Sequence, residues 1–329
     1  MTSLDFQSLL RQEKALHQTK LCEESAAQSK RDSALSCTST STTSTQVAAG
    51  VGREDCKRTP ACGARKVVDG LKKGSATVIE DADGVHSAKM SSSVCFAQLA
   101  ARPSLDMRKI KVGHTPTIFY APDFVTETEE QHILDSTYAP TLGEDSGGEW
   151  VTLRSRRLKC FGGQPGERFV PEALPAWVEA LCDALVERGI FASEDRPNHV
   201  LLNEYQPGQG IMPHTDGPFY APRTATLSLG SDAIMHFSPR VAAADIGQPG
   251  VDTRPQSSLV LRKRCLVVFA DDAYSHLLHG IDAVREEAVG SRGAAVINAD
   301  AADAPEGCIV QRKLRVSLTF RRVRAGGSR

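Results

Sequence analysis

The chain has 329 residues, 40% of them hydrophobic, and a formal net charge of −1 from 39 basic and 40 acidic side chains. That is enough apolar material for one large or two small cores, and the charge balance excludes bulk electrostatic coating of nucleic acid or an anionic membrane, so any such contact must come from a local patch. Nine scattered cysteines, an odd number with no C-x-x-C pair, predict reduced thiols inside the cell; no apolar run approaches the ~20 residues of a membrane-spanning helix, which predicts a soluble chain with no membrane partner.

Residues 1–110 are rich in Ser, Thr, Ala, Lys and Asp, include the run "SCTSTSTTST", and have almost no aromatic residues. Such a stretch buries too little apolar area to offset its ordering entropy, which predicts a low-complexity, largely disordered N-terminal extension. Within it, "LDFQSLLRQEKALHQTK" (4–20) sets Phe6, Leu9 and Leu10 along one stripe of a charged helix, either a dock for a protein partner or a transient solvated helix. Asp5 and Glu13 argue against a mitochondrial presequence, so cytoplasm or nucleus is expected.

The folded domain is expected over 111–329, with structure beginning near Thr117. "TIFYAPDFV" reads as a strand and turn, and Thr126 with Glu129 three places on forms a capping box that starts a helix. "WVTLRSRRLKCF" is strand-like. A second helix is predicted from Pro171 to Arg188, with Trp177, Val178, Leu181 and Leu185 on one face and Gly189 as its stop. Beyond Asn198 the period changes to two, in "HVLLNEY", "TATLSLG", "AIMHF", "SSLVLRK", "RCLVVFA" and "KLRVSLTFRRV", with no helical crossover between them. The fold class is therefore mainly β with flanking helices (α+β), and a jelly roll is the expected architecture. Residues 239–257 and 282–310, rich in Ala, Pro, Gly and Asp, read as surface loops.

Several of these strands carry polar residues at alternate positions. His214 and Asp216 are two apart and point the same way from an extended segment, as do Asn203 and Tyr205. An H-x-D pair alone is weak evidence for a metal. "SHLLHGI" supplies His276 and His279, whose odd separation turns them to opposite faces, so one of the two can join the pair; His236 in "AIMHF" competes. Two imidazoles and a carboxylate are the facial triad of non-haem Fe(II) oxygenases. In the last strand Arg315, Ser317, Thr319 and Arg321 share one face, while Val316, Leu318 and Phe320 share the other. An inward arginine beside a metal can take a carboxylate bidentately.

The ordered series N-x-Y-x-P-G, H-x-D, L-L-H-G-I and R-V-S-L-T-F-R resembles the AlkB family of 2-oxoglutarate- and Fe(II)-dependent dioxygenases over residues 115–324, nearer the AlkB homologue six branch than the bacterial founder. That resemblance implies a double-stranded β-helix (cupin-like jelly roll) over about 197–324 and a nucleotide-recognition lid over about 150–165. It also implies His214, Asp216 and His279 as catalytic iron ligands, with His279 chosen over His276. Asn203, Tyr205, Arg315 and Arg321 become the 2-oxoglutarate contacts, and Arg156, Arg157 and Lys159 in the lid become substrate contacts. The implied reaction is oxidative demethylation of an alkylated RNA or DNA base, releasing formaldehyde, succinate and CO2. Two alternatives stand beside it: a protein or peptide hydroxylase or demethylase on the same fold, and a catalytically silent nucleic-acid-binding adaptor.

Overall fold

The structure, a computed structural model, describes residues 11, 13–15, 92–114, 117–140, 148–166, 168–242, 245, 248 and 251–324. The Ser/Thr run and the stripe of Phe6, Leu9 and Leu10 lie outside the described residues; residues 11 and 13–15 are helical.

A helix, α1 (Ser92–Ala100), lies inside the segment whose composition predicts disorder. Its large apolar residues Phe96 and Leu99 are three apart and buried, and Leu105, Met107 and Ile110 pack on the same core. One i,i+3 pair in a Ser/Ala-rich stretch is too short a pattern to register as periodicity, and so short a helix depends on tertiary packing.

Helix α2 (Glu127–Tyr138) starts at the expected capping box. The Thr126 hydroxyl accepts from the Glu129 amide at 3.2 Å, and the Glu129 carboxylate accepts from the Thr126 amide at 2.7 Å. Helix α3 (Ala176–Glu187) begins later than residue 171, because Pro175 caps it in an extended conformation and proline holds the residue before it out of the helical region. Gly189, at φ +75°, ends it as expected. A short helix, α4 (Asp271–His276), precedes the HLLHG segment.

The strands among the described residues are β1 (Ile118–Ala121), β2 (Val151–Thr152), β3 (Arg157–Phe161), β4 (His199–Tyr205), β5 (Ile211–His214), β6 (Tyr220–Leu229), β7 (Ala233–Pro239), β8 (Ser257–Leu261), β9 (Leu266–Ala270), β10 (Leu277–Ile281), β11 (Glu286–Ala288), β12 (Ala295–Val296), β13 (Ile309–Gln311) and β14 (Arg315–Val323). One sheet runs β1-β9-β6-β14-β4-β3-β2, a second runs β12-β8-β7-β10-β5, and β11 pairs with β13 in a ribbon. Every pairing is antiparallel except that of β12 with β8. This is the mainly β, jelly-roll-like architecture that the strand pattern predicts. Two details differ. "WVTLRSRRLKCF" is a hairpin, β2 and β3 about a turn in which the Leu153 amide donates to the Arg156 carbonyl at 2.8 Å. The 282–310 connection holds three short strands instead of a plain loop.

Period-two alternation separates two environments. Val316, Leu318 and Phe320 of β14, Val200 and Leu202 of β4, and Ala225 and Leu227 of β6 form one core with Val178 and Leu181 of α3. Each fully buried side chain of this kind contributes roughly 1.5–3 kcal/mol. The opposite faces of the same strands look toward the five-stranded sheet, and there the polar positions line a cleft. Among the described residues no helix is long and apolar enough to cross a membrane.

Candidate metal and cosubstrate site

The cleft, about 390 Å³ counted to its open mouth, is lined by Asn203, Tyr205, His214, His279, Arg315 and Arg321, with Leu201, Ile211, Met235 and Ile281 as its apolar wall. The polar members come from β4, β5, β10 and β14, each delivering alternate residues inward.

His214 and His279 are directly paired across β5 and β10, with ring centroids 4.4 Å apart. Gly280 permits that approach: a Cβ there would lie 2.9 Å from the Pro213 nitrogen. Pro213 is tolerated because β5 is the edge of its sheet. Asp216 follows the end of β5 and is buried, with Oδ1 3.9 Å from His279 Nε2. The ligand-type atoms of His214, Asp216 and His279 all lie within 4.8 Å of one another. His276, the alternative left open by spacing, ends α4 with its side chain 75% exposed.

The electrostatics suit a cation. Burial, reinforced by His279, holds His214 well below the ordinary imidazole range, and burial also lowers His279, so both rings are neutral. The Met212 carbonyl, 2.8 Å from His214 Nδ1, takes that proton and leaves Nε2 as the lone pair. Burial alone would raise the Asp216 carboxyl, but the charge and hydrogen bond of Arg321 outweigh it and keep it ionised. Arg321 donates to Asp216 Oδ1, whereas Oδ2 is buried without a hydrogen-bond partner. Two neutral imidazoles and an ionised carboxylate with an unsatisfied oxygen are the donor set of a first-row divalent ion with open coordination positions.

Deeper along β14, Arg315 makes the opposite demand. It is 2% exposed, donates from Nη2 to Ser228 Oγ at 2.8 Å, and lies over the Tyr205 ring at 5.6 Å. Its Nε has no hydrogen-bond partner, and burial lowers its pKa to about 10. A buried guanidinium with no carboxylate among its partners fits an anionic group that arrives with a ligand. Metal donors at one end and this cation at the other suit a dicarboxylate that chelates an ion. Asn203 and Tyr205 stand between, both buried on the cleft face of β4.

Alternation divides the three cations expected to contact substrate, which lie on the β2–β3 hairpin. Arg156 turns to the cleft side, where its Nε donates to Asn203 Oδ1 at 3.0 Å and its Nη1 meets Glu13 Oε2 at 2.5 Å. Arg157 and Lys159 face the other way, onto α2. Arg157 pairs bidentately with Glu204, both contacts at 2.7 Å, and stacks 4.1 Å over Trp150, while Lys159 donates to the Thr137 carbonyl at 3.2 Å. The structure therefore does not bring these three cations to one surface, and Arg156 and Lys159 are buried. The bipartite contact with Glu13 and Ser155 was not legible in the sequence, because 143 positions separate Glu13 from Arg156. Ser228, which orients Arg315, did leave a signal as an alternate polar position in "TATLSLG". His236 faces away from the cleft.

A family profile described as "2OG-Fe(II) oxygenase superfamily" matches residues 106–321. The Danio rerio protein named "Probable RNA/DNA demethylase ALKBH6" is 37% identical over 223 residues, 67% of this chain and 91% of that protein. The Macaca fascicularis "tRNA (carboxymethyluridine(34)-5-O)-methyltransferase ALKBH8" is 26% identical over 219 residues, 64% of this chain and 31% of that longer protein. The solved structure of OsALKBH1 has a TM-score of 0.41 at 17% identity and covers 64% of this chain and 100% of that one. The chain accordingly belongs to the 2OG-Fe(II) oxygenase superfamily, within its AlkB family, and is a dioxygenase whose cofactors are Fe(II) and 2-oxoglutarate.

Proposed function

We propose that the protein demethylates an alkylated base in RNA or DNA, with Fe(II) held by His214, Asp216 and His279 and 2-oxoglutarate held by Asn203, Tyr205, Arg315 and Arg321. The observation carrying the chemistry is that one cleft is lined both by His214 and His279, whose ligand atoms meet Asp216 with its unsatisfied oxygen, and by a buried Arg315 that has no carboxylate partner. When bound, Fe(II) with 2-oxoglutarate and dioxygen supplies the oxidation: the 2-oxo acid becomes succinate and CO2, and one oxygen atom enters a substrate C–H bond. On an N-methyl group the hydroxylated carbon then leaves as formaldehyde and the nitrogen keeps a proton.

The chain's own residues orient and insulate. Arg321 keeps Asp216 ionised, the Met212 carbonyl fixes the His214 tautomer, and Phe269, 4.7 Å from the His279 ring, backs that ligand. The nucleic-acid part of the proposal is supported by the printed name of the relative at 37% identity. It is also supported by Arg156, a lid cation beside the cleft that already binds an anion, the Glu13 carboxylate. The Arg156 side chain is fully buried with Glu13 as its carboxylate partner, so a phosphate reaches it only by displacing Glu13.

Methylated RNA and DNA oligonucleotides, with methylated peptides alongside, test this by formaldehyde release and succinate formation. Product from oligonucleotides alone is expected. Product from peptides alone would overturn the nucleic-acid assignment while leaving the dioxygenase intact.

A further inference from the structure

Outside the reaction cleft, the described residues gather a second set of ligand-type side chains. His236, Asp282 and Glu287 bring their ligand atoms within 4.8 Å of one another. Met235 lines the cleft, so alternation along β7 turns His236 to the far side of the five-stranded sheet. There it faces Asp282, one residue past β10, and Glu287 on β11. The His236 and Glu287 side chains are only 6% and 7% exposed, and Asp282 closes the set from the solvent side at 29%.

The two His236 spacings fit neighbouring ligand atoms of one ion and are long for a hydrogen bond. His236 Nε2 is 3.6 Å from Asp282 Oδ2 and 3.5 Å from Glu287 Oε2, and has no hydrogen-bond partner. Tetrahedral bonds of ~2.0–2.2 Å set neighbouring ligand atoms ~3.3–3.6 Å apart. The other ring nitrogen, Nδ1, lies 2.9 Å from Ser258 Oγ. With that proton given to Ser258, Nε2 presents its lone pair to two carboxylates, and three acceptors face one another across a gap that a cation fills. Arg312 donates to Glu287 Oε1 at 2.6 Å, which turns Oε2 toward His236. Arg292, about half exposed, donates from Nε and Nη2 to the same Asp282 Oδ2 that faces His236, so a cation takes that oxygen only as this guanidinium turns away to solvent.

We propose that His236, Asp282 and Glu287 form a second divalent-cation site of zinc type, with water as fourth ligand. It has a structural task. The ribbon of β11 and β13 is two short strands, too little to be stable alone. A cation here would pin it to the back of the sheet whose inner face carries His279.

The test uses the full chain with His214→Ala and His279→Ala together, which leaves Asp216 paired with the buried Arg321 and removes two of the three reaction-centre ligands, so that the triad cannot hold a metal. Equilibrium dialysis against Zn²⁺ with elemental analysis should then find one equivalent that disappears on adding His236→Gln. A Tm increase on zinc addition should disappear with it. Glu287→Gln leaves the buried Arg312 without its carboxylate and risks unfolding. Asp282→Asn at the solvent edge is therefore the second variant, expected to weaken zinc at least ~10-fold with unchanged far-ultraviolet circular dichroism. No bound equivalent would overturn the proposal, as would an equivalent indifferent to both His236→Gln and Asp282→Asn, which would place the zinc elsewhere on the chain.

Discussion

Replacing Arg315 with methionine should move stability and cosubstrate binding in opposite directions. The guanidinium is 2% exposed, its side-chain hydrogen bond runs to the neutral Ser228, and burial lowers its pKa to about 10. A buried charge held this way burdens the free protein, so Arg315→Met, which keeps most of the apolar volume, should leave its stability unchanged or raise it by up to about 2 kcal/mol. The same change removes a charge-assisted contact worth about 1.5–3 kcal/mol to a carboxylate, which weakens 2-oxoglutarate roughly 10- to 150-fold. Urea denaturation without cosubstrate measures the first quantity. Calorimetric titration of 2-oxoglutarate into metal-loaded protein measures the second. A variant that loses several kcal/mol of stability yet binds 2-oxoglutarate normally would refute the reasoning, because Arg315 would then be a structural cation.

Three further outcomes are expected. His199 is buried beside Tyr220, and burial, helped by Arg321, drops its pKa from 6.5 to about 3. Between those values the unfolded chain binds the proton and the folded chain does not, so stability rises with pH across this window and is lost on acidification. From pH 7 to pH 5 the loss is about 2 kcal/mol, and His199→Phe should remove that increment from the difference in urea midpoints; equal pH slopes would refute it. Asp216→Ala takes away the carboxylate to which the buried Arg321 donates, and should cost about 3–5 kcal/mol along with iron binding. Adding Arg321→Met should restore most of the stability and none of the iron, as read by melting and metal analysis. Finally, Glu13→Gln weakens the carboxylate's hold on Arg156 and should tighten oligonucleotide binding several-fold with a steeper salt dependence; unchanged affinity in a salt series would show that Arg156 does not meet phosphate.

The dioxygenase chemistry explains why a buried antiparallel sheet tolerates so much polarity. Asn203, Tyr205, Ser317, Thr319, Arg315 and Arg321 all occupy one face, and that face borders a cleft instead of a sealed core. Their cost is offset by pairing within the cleft, as Arg321 with Asp216 and Thr226 with Thr319 at 3.4 Å.

What the sequence determined by itself was local. Cβ geometry gives strands a period of two, so the division of β14 into Arg315, Ser317, Thr319 and Arg321 against Val316, Leu318 and Phe320 was readable without coordinates, as were the Thr126 capping box and the stop at Gly189. Tertiary structure alone decided which charges meet. Whether Arg156 faces Glu13 or a phosphate, whether Arg157 turns to Glu204, whether Phe96 and Leu99 find a core, and whether His236 reaches Asp282 and Glu287 all depend on chain segments tens to more than a hundred residues apart. Periodicity reports the direction of a side chain from its own backbone. It carries no information about what another strand or helix brings to the far side of that contact, and electrostatic pairing and burial are set there.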